Sequence, residues 1–168
     1  MITLYLDMDG VLCNFDKAYR AIDPEKADRK KFRDAVFTYK IFEDLEFMSD
    51  AQELLNFVSK LDGINIEILT SMGTFDEVQG NAAKMQKMKW LNDKNIPYKP
   101  NFVRSKEEKA KYATPTRILI DDSIGCIKPF NVAGGHGILH TSARDSSHQL
   151  SRTIDIISGV HALRRIKL

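Results

Sequence analysis

The chain has 168 residues, 43% hydrophobic and 29% charged, with a formal net charge of +2. That composition suits one globular domain with room for a small insertion and a core that needs no staples. The charge is too weak to hold a nucleic acid by electrostatics alone, and no stretch approaches the length of a membrane span.

Residues 2–6 alternate as a buried strand and run into Asp7-Met8-Asp9-Gly10. Asp7 breaks the apolar run too early for a signal peptide. Without an export signal, Cys13 and Cys126, which lack metal-ligand spacing, are expected as free thiols in a reducing cytoplasm, Cys13 as a small filler. Residues 15–61 read as mostly helical. Pro24 suits a first helical turn behind Asp23, and Phe32, Val36 and Tyr39 share one face. Ser49 with Gln52, or Asp50 with Glu53, forms a capping box for a helix carrying Leu54, Val58 and Leu61.

A second strand spans 64–69 and ends at Thr70-Ser71. A helix follows over 76–94, with Val78, Ala82, Met85 and Leu91 as its apolar face and Trp90 packed between helix and sheet. A short strand at 101–103, a lysine-rich helix at 105–112 and a strand at 117–120 come next, the last ending in Asp121-Asp122. A strand at 137–140 and a helix over about 147–158 complete the pattern, with Arg164 to Lys167 a solvated terminus. Phe37 and Phe47 are expected in the core, and His136 and His140 are not expected to bind metal.

Strands alternating with helices predict an α/β fold: a Rossmann-like, mostly parallel sheet flanked by helices. The stretch 15–61 is too long for one crossover, so a small helical cap is expected there, inserted after the first strand, with 1–14 and 62–168 as the core. In such a sheet the strand ends share one edge. Asp7 and Asp9, Thr70 and Ser71, and Asp121 and Asp122 therefore converge. A cluster of oxygen ligands calls for a hard divalent cation such as Mg²⁺. Hydroxyls and a lysine suit a phosphate, and an aspartate can attack one covalently.

Leu6-Asp7-Met8-Asp9-Gly10-Val11-Leu12 resembles the first motif of the haloacid dehalogenase-like phosphohydrolases. Ile68-Leu69-Thr70-Ser71 resembles their second motif and Ile118-Leu119-Ile120-Asp121-Asp122 their fourth. More narrowly, the chain is similar to the 5'(3')-deoxyribonucleotidase branch and its phage and bacterial relatives. Phe15, the segment Ile41-Phe42-Glu43-Asp44-Leu45-Glu46 and Gly134-Gly135 carry that likeness.

The resemblance implies Asp7 as nucleophile and metal ligand. It implies Asp9 as general acid/base, with its carbonyl on the metal. Thr70 and Ser71 would hold phosphoryl oxygens, Asp122 would ligate Mg²⁺, and Asp121 would support the site from behind. Two lysines compete for phosphate: Lys111 lies ten residues before Asp121, and Lys109 opens a Lys-x-x-Tyr-Ala stretch. Lys109 is preferred as nearer an N-terminal turn, with Lys106 a third candidate. Phe15 and Phe42 are candidates for a base pocket. The expected activity is a Mg²⁺-dependent phosphomonoesterase on small substrates, (deoxy)nucleoside monophosphates first, with room left for a homodimer. The alternatives are a phosphatase of nucleic-acid ends or sugar phosphates, or a silent nucleotide-binding module.

Overall fold

The computed structural model describes the backbone of residues 1–22, 25 and 28–166 and the side chains of residues 1–22, 25 and 29–159. The expected Asp23–Pro24 cap lies outside the described residues, as do Lys167 and the side chains of residues 164–166. Five parallel strands form the centre: β1 (Ile2–Leu6), β2 (Ile64–Ser71), β3 (Lys99–Val103), β4 (Arg117–Asp121) and β5 (His136–Leu139), in the order β3-β2-β1-β4-β5. This is the predicted Rossmann-like sheet, and its order reverses beside β1.

Alternation along the strands divides two cores. Leu4, Leu6, Ile68, Ile118 and Ile120 face one layer, with α3 (Ala51–Val58), α4 (Glu77–Asp93) and α6 (Ala143–Ile166). Tyr5, Leu69 and Leu119 face the other, against α5 (Ile124–Val132) and a 3₁₀ helix at Glu107–Tyr112.

Between β1 and α3 the chain forms α1 (Phe15–Ala21), α2 (Asp28–Phe37) and a 3₁₀ turn at Ile41–Glu43. This excursion leaves and returns through one stem. The Asn14 amide donates to the Glu46 carbonyl (2.8 Å), and the Met48 amide donates to the Leu12 carbonyl (2.8 Å). Beyond the stem, α3 packs on α6 and puts Leu54 and Val58 into the sheet core.

Several local expectations change. Tyr39 and Phe37 are exposed, because α2 ends at Phe37 and turns its last residues outward. Asp50 makes no cap for α3. Its carboxylate instead accepts from the Ala143 amide at 2.6 Å, tying down the start of α6, which begins at 143 rather than 147. The lysine-rich helix is a 3₁₀ helix and starts at Glu107 rather than 105. On α4 the buried face is not Val78 and Met85, both exposed, but Ala83, Gln86, Lys87, Trp90 and Leu91. Two of those five residues, Gln86 and Lys87, are polar, which blurs the hydropathy pattern of the buried side.

Candidate active site

β1 and β4 run in register with Leu6 opposite Ile120, so Asp7 and Asp121 emerge side by side at the C-terminal edge. The Asp7 amide still donates to the Ile120 carbonyl at 3.0 Å, which holds its carboxylate at the sheet. The following loop is tight: the Met8 carbonyl accepts from the amides of Val11, Leu12 and Cys13. Gly10 sits in this loop at φ 83°, and a Cβ there would lie 2.0 Å from an Asp122 carboxylate oxygen. Glycine is thus needed twice, for the backbone conformation and for the close approach of Asp122.

Carboxylate oxygens of Asp7, Asp121 and Asp122 lie within 4.8 Å of one another. The Lys109 ammonium sits among them, 2.8 Å from Asp7 Oδ1 and 2.6 Å from Asp121 Oδ2. The other Asp121 oxygen accepts from the Ser123 amide at 2.9 Å, so both of its oxygens are engaged. Burial, with Asp121 and Asp9 adding to it against the pull of Lys109, raises the Asp7 carboxyl to about 7. Burial and then Asp121 raise Asp122 to about 6. Burial alone would lower the Lys109 ammonium, but Asp7 and Asp121 outweigh it and hold it well above its ordinary value. Burial is the largest cause for the two carboxyls, and the crowded negative charge adds to it, while the same crowding holds the ammonium up.

Asp9 is held separately. Its Oδ2 is 2.8 Å from the Lys87 ammonium, and its Oδ1 accepts from the Cys13 thiol at 3.4 Å. With all four carboxylates (Asp7, Asp9, Asp121, Asp122) ionised, the two buried ammonium groups (Lys87, Lys109) leave two negative charges, which one divalent cation would balance. The donor set and the surplus charge both fit Mg²⁺. Neither thiol offers rival chemistry, since burial pushes Cys126 up to about 12 and Cys13 well above its usual range.

A cavity of about 750 Å³ opens over this edge, and Asp7, Asp9, Ser71, Lys109, Asp121 and Asp122 all line it. Thr70 does not: it is fully buried, with its hydroxyl 2.8 Å from Lys87, beneath the wall rather than in it. The Ser71 hydroxyl accepts from the Gly73 amide at 3.0 Å, which fixes its position in the turn after β2. Lys111 does not reach the cavity. Its side chain is 72% exposed and leans toward Glu108 at 3.8 Å, outside the cavity lining, because successive residues of a 3₁₀ turn leave on different sides. Lys106 is at the rim, 3.3 Å from the Ser123 hydroxyl.

Phe15 and Phe42 both line the cavity and stack on each other, ring centres 5.3 Å apart, with Tyr19 stacked on Phe15 and Phe32 edge-on to Phe42. Both candidate base-pocket rings are therefore packed inside an aromatic cluster. The exposed ring at the mouth is Phe75, 66% accessible, with the Arg104 guanidinium 5.2 Å from its centre. Sequence reading missed Phe75, Arg104 and Lys87. The first two sit in short loops without periodicity, and the third is spaced like an ordinary surface lysine.

No family model matches the chain, and no curated protein matches it. Among solved structures, it is similar to D,D-heptose 1,7-bisphosphate phosphatase from Burkholderia thailandensis, at 11% identity over 89% of this chain and 98% of that one, with a TM-score of 0.53. It is also similar to a hydrolase from Streptococcus pneumoniae TIGR4, at 15% identity over 89% and 97% of the two chains, with a TM-score of 0.52. At such identities the likeness is one of fold. Among the described residues no helix is long and apolar enough to cross a membrane.

Proposed function

We propose that the chain is a phosphatase of small phosphate monoesters that works through an aspartyl-phosphate on Asp7, with nucleoside monophosphates as the favoured substrates. The observation that carries this reading is the convergence of Asp7, Asp9, Asp122 and Lys109 on one cavity wall. In this reading an Asp7 oxygen attacks phosphorus while the bond to the leaving oxygen breaks. The electron pair of that bond takes the proton carried by Asp9. A water molecule then attacks the phosphorus of the aspartyl-phosphate, giving its proton back to Asp9 and freeing Asp7 and phosphate. Lys109 and the Ser71 side chain meet the charge on the phosphoryl oxygens, while Thr70 lies beneath them, bonded to Lys87.

Mg²⁺ would be held by Asp7, Asp122 and the Asp9 carbonyl, with Asp121 behind them. It would supply Lewis-acid polarisation of the phosphoryl group. The segment between the stem residues, from Phe15 to Leu45, would act as a small cap that limits substrate size. A cavity of about 750 Å³ with an aromatic wall suits a nucleotide-sized ligand. Phe75, the accessible ring, is the better candidate than Phe15 or Phe42 to stack on a base.

The test is phosphate release with Mg²⁺ from nucleoside 3'- and 5'-monophosphates, sugar phosphates and 5'- or 3'-phosphorylated oligonucleotides. Sugar phosphates belong in the panel because the Burkholderia neighbour is named for one. Mononucleotides should be turned over best, and Asp7→Asn should lower the rate by at least about 10⁴-fold. Absence of turnover on every monoester would refute the phosphatase reading, and a clear preference for oligonucleotide ends would refute the choice of substrate.

A further inference from the structure

We infer that Lys87 is a positioning residue for Asp9, fixing the carboxylate so that one oxygen serves proton transfer to the leaving group. The inference rests on the phosphatase reading above and adds a residue to it.

Lys87 lies mid-way along α4 with its side chain fully buried. A buried ammonium costs several kcal/mol unless it is paired, and it has three N–H groups to satisfy. Here each finds an acceptor: Asp9 Oδ2 at 2.8 Å, the Thr70 hydroxyl at 2.8 Å and the Ser71 carbonyl at 2.9 Å. The Phe42 ring centre, 4.6 Å away, adds a cation–π contact.

The three acceptors come from two chain segments, the loop after β1 and the end of β2. Lys87 therefore locks the loop carrying Asp9 to the strand end carrying Ser71. It is not part of the cavity wall, so it acts through Asp9 rather than on a substrate. With Oδ2 committed to the ammonium, Oδ1 has, among the described residues, only the weak thiol donor of Cys13 at 3.4 Å, and a weak donor yields readily to a stronger partner. Oδ1 is the oxygen left for the proton.

The same helix face holds the segment above. The Gln86 amide donates to the Val36 carbonyl at 2.8 Å and accepts from the Phe42 amide at 3.3 Å, and the Trp90 indole donates to the Leu45 carbonyl at 2.8 Å. Asp9 is thus anchored to the element that anchors residues 36–45. Stability alone is a weak reason for such a lysine, since buried ion pairs are often replaceable by apolar side chains at no loss.

A leaving-group comparison separates positioning from mere structure. Expulsion of an alkoxide needs the proton of Asp9, whereas p-nitrophenolate leaves without one. In Lys87→Met, kcat/KM for a nucleoside monophosphate should fall about 100-fold or more, and that for p-nitrophenyl phosphate by less than about 5-fold. Because kcat/KM reports the steps up to P–O cleavage, the later attack of water does not blur the comparison. Adding Lys87→Met to Asp9→Asn should cost almost nothing further, since both remove one device. Trp90, the sole tryptophan, is buried three residues along the same helix, so its emission reports whether the variant is folded. If the methionine variant unfolds, Lys87→Gln, which keeps an N–H donor, takes the same test. Equal losses on both esters, or none, would overturn the inference and leave the phosphatase reading standing. A wild-type protein that turns over neither ester would overturn both.

Discussion

Two buried lysines divide this site into unlike regions. Lys109, between β1 and β4, faces Asp7 and Asp121, with Asp122 close by, and the pocket stays over-negative. Lys87, on α4 and facing the end of β2, meets one carboxylate, one hydroxyl and one carbonyl, and its donors are saturated. The same side chain is an incomplete counter-charge in one place and a finished bracket in the other. The difference lies in the acceptors: surplus carboxylates leave work for a cation, and a matched set leaves none.

The strongest way to break that contrast is Lys109→Met. For a phosphatase of the proposed kind, phosphate release should fall by about 10³-fold or more, because a phosphoryl-facing charge is lost. The variant should also lose stability at neutral pH, where Asp7 and Asp121 would face each other unpaired, and gain some of it back at pH 5.

The pH dependence of stability comes next. The Asp7 carboxyl is raised to about 7 from an ordinary value of 3.8. Between about pH 4 and 7 the folded chain keeps a proton that the unfolded chain has released, so stability falls as pH rises through that window. For metal-free protein, Tm should drop by roughly 5 °C from pH 5 to 7.5, and Mg²⁺ should remove most of the drop. A metal-free Tm that rises over this range would show that Lys109 already balances the pocket.

Smaller effects sharpen the picture at the mouth. Phe75→Ala should raise KM for nucleotides about 5- to 10-fold with kcat little changed, consistent with one lost stacking contact. An unchanged KM would return the base to Phe15 or Phe42, or place it elsewhere. Lys111→Ala should change neither kcat nor KM by more than about 2-fold, because its side chain is exposed outside the cavity and its 3.8 Å pair with Glu108 contributes little.

Much of the frame is legible in the amino-acid sequence. The order of strands and helices, and the three strands ending at Asp7, Thr70-Ser71 and Asp121-Asp122, follow from alternation and breakers, which are local properties of the chain. Local pattern fails on α4, where Val78 and Met85 look like the core face and are exposed. It fails at Asp50 as well, whose carboxylate serves a helix end that begins 93 residues away in sequence.

By itself, then, the sequence determined which acids stand at which strand ends, because strand periodicity and a glycine turn decide that within a few residues. Only the tertiary structure decided which lysines are buried, that Lys111 is not among them, that Thr70 lies under the wall, and that Phe15 and Phe42 spend their faces on each other. A lysine's burial depends on acceptors arriving from other segments. Asp9, Thr70 and the Ser71 carbonyl meet Lys87 only once β1, β2 and α4 have packed.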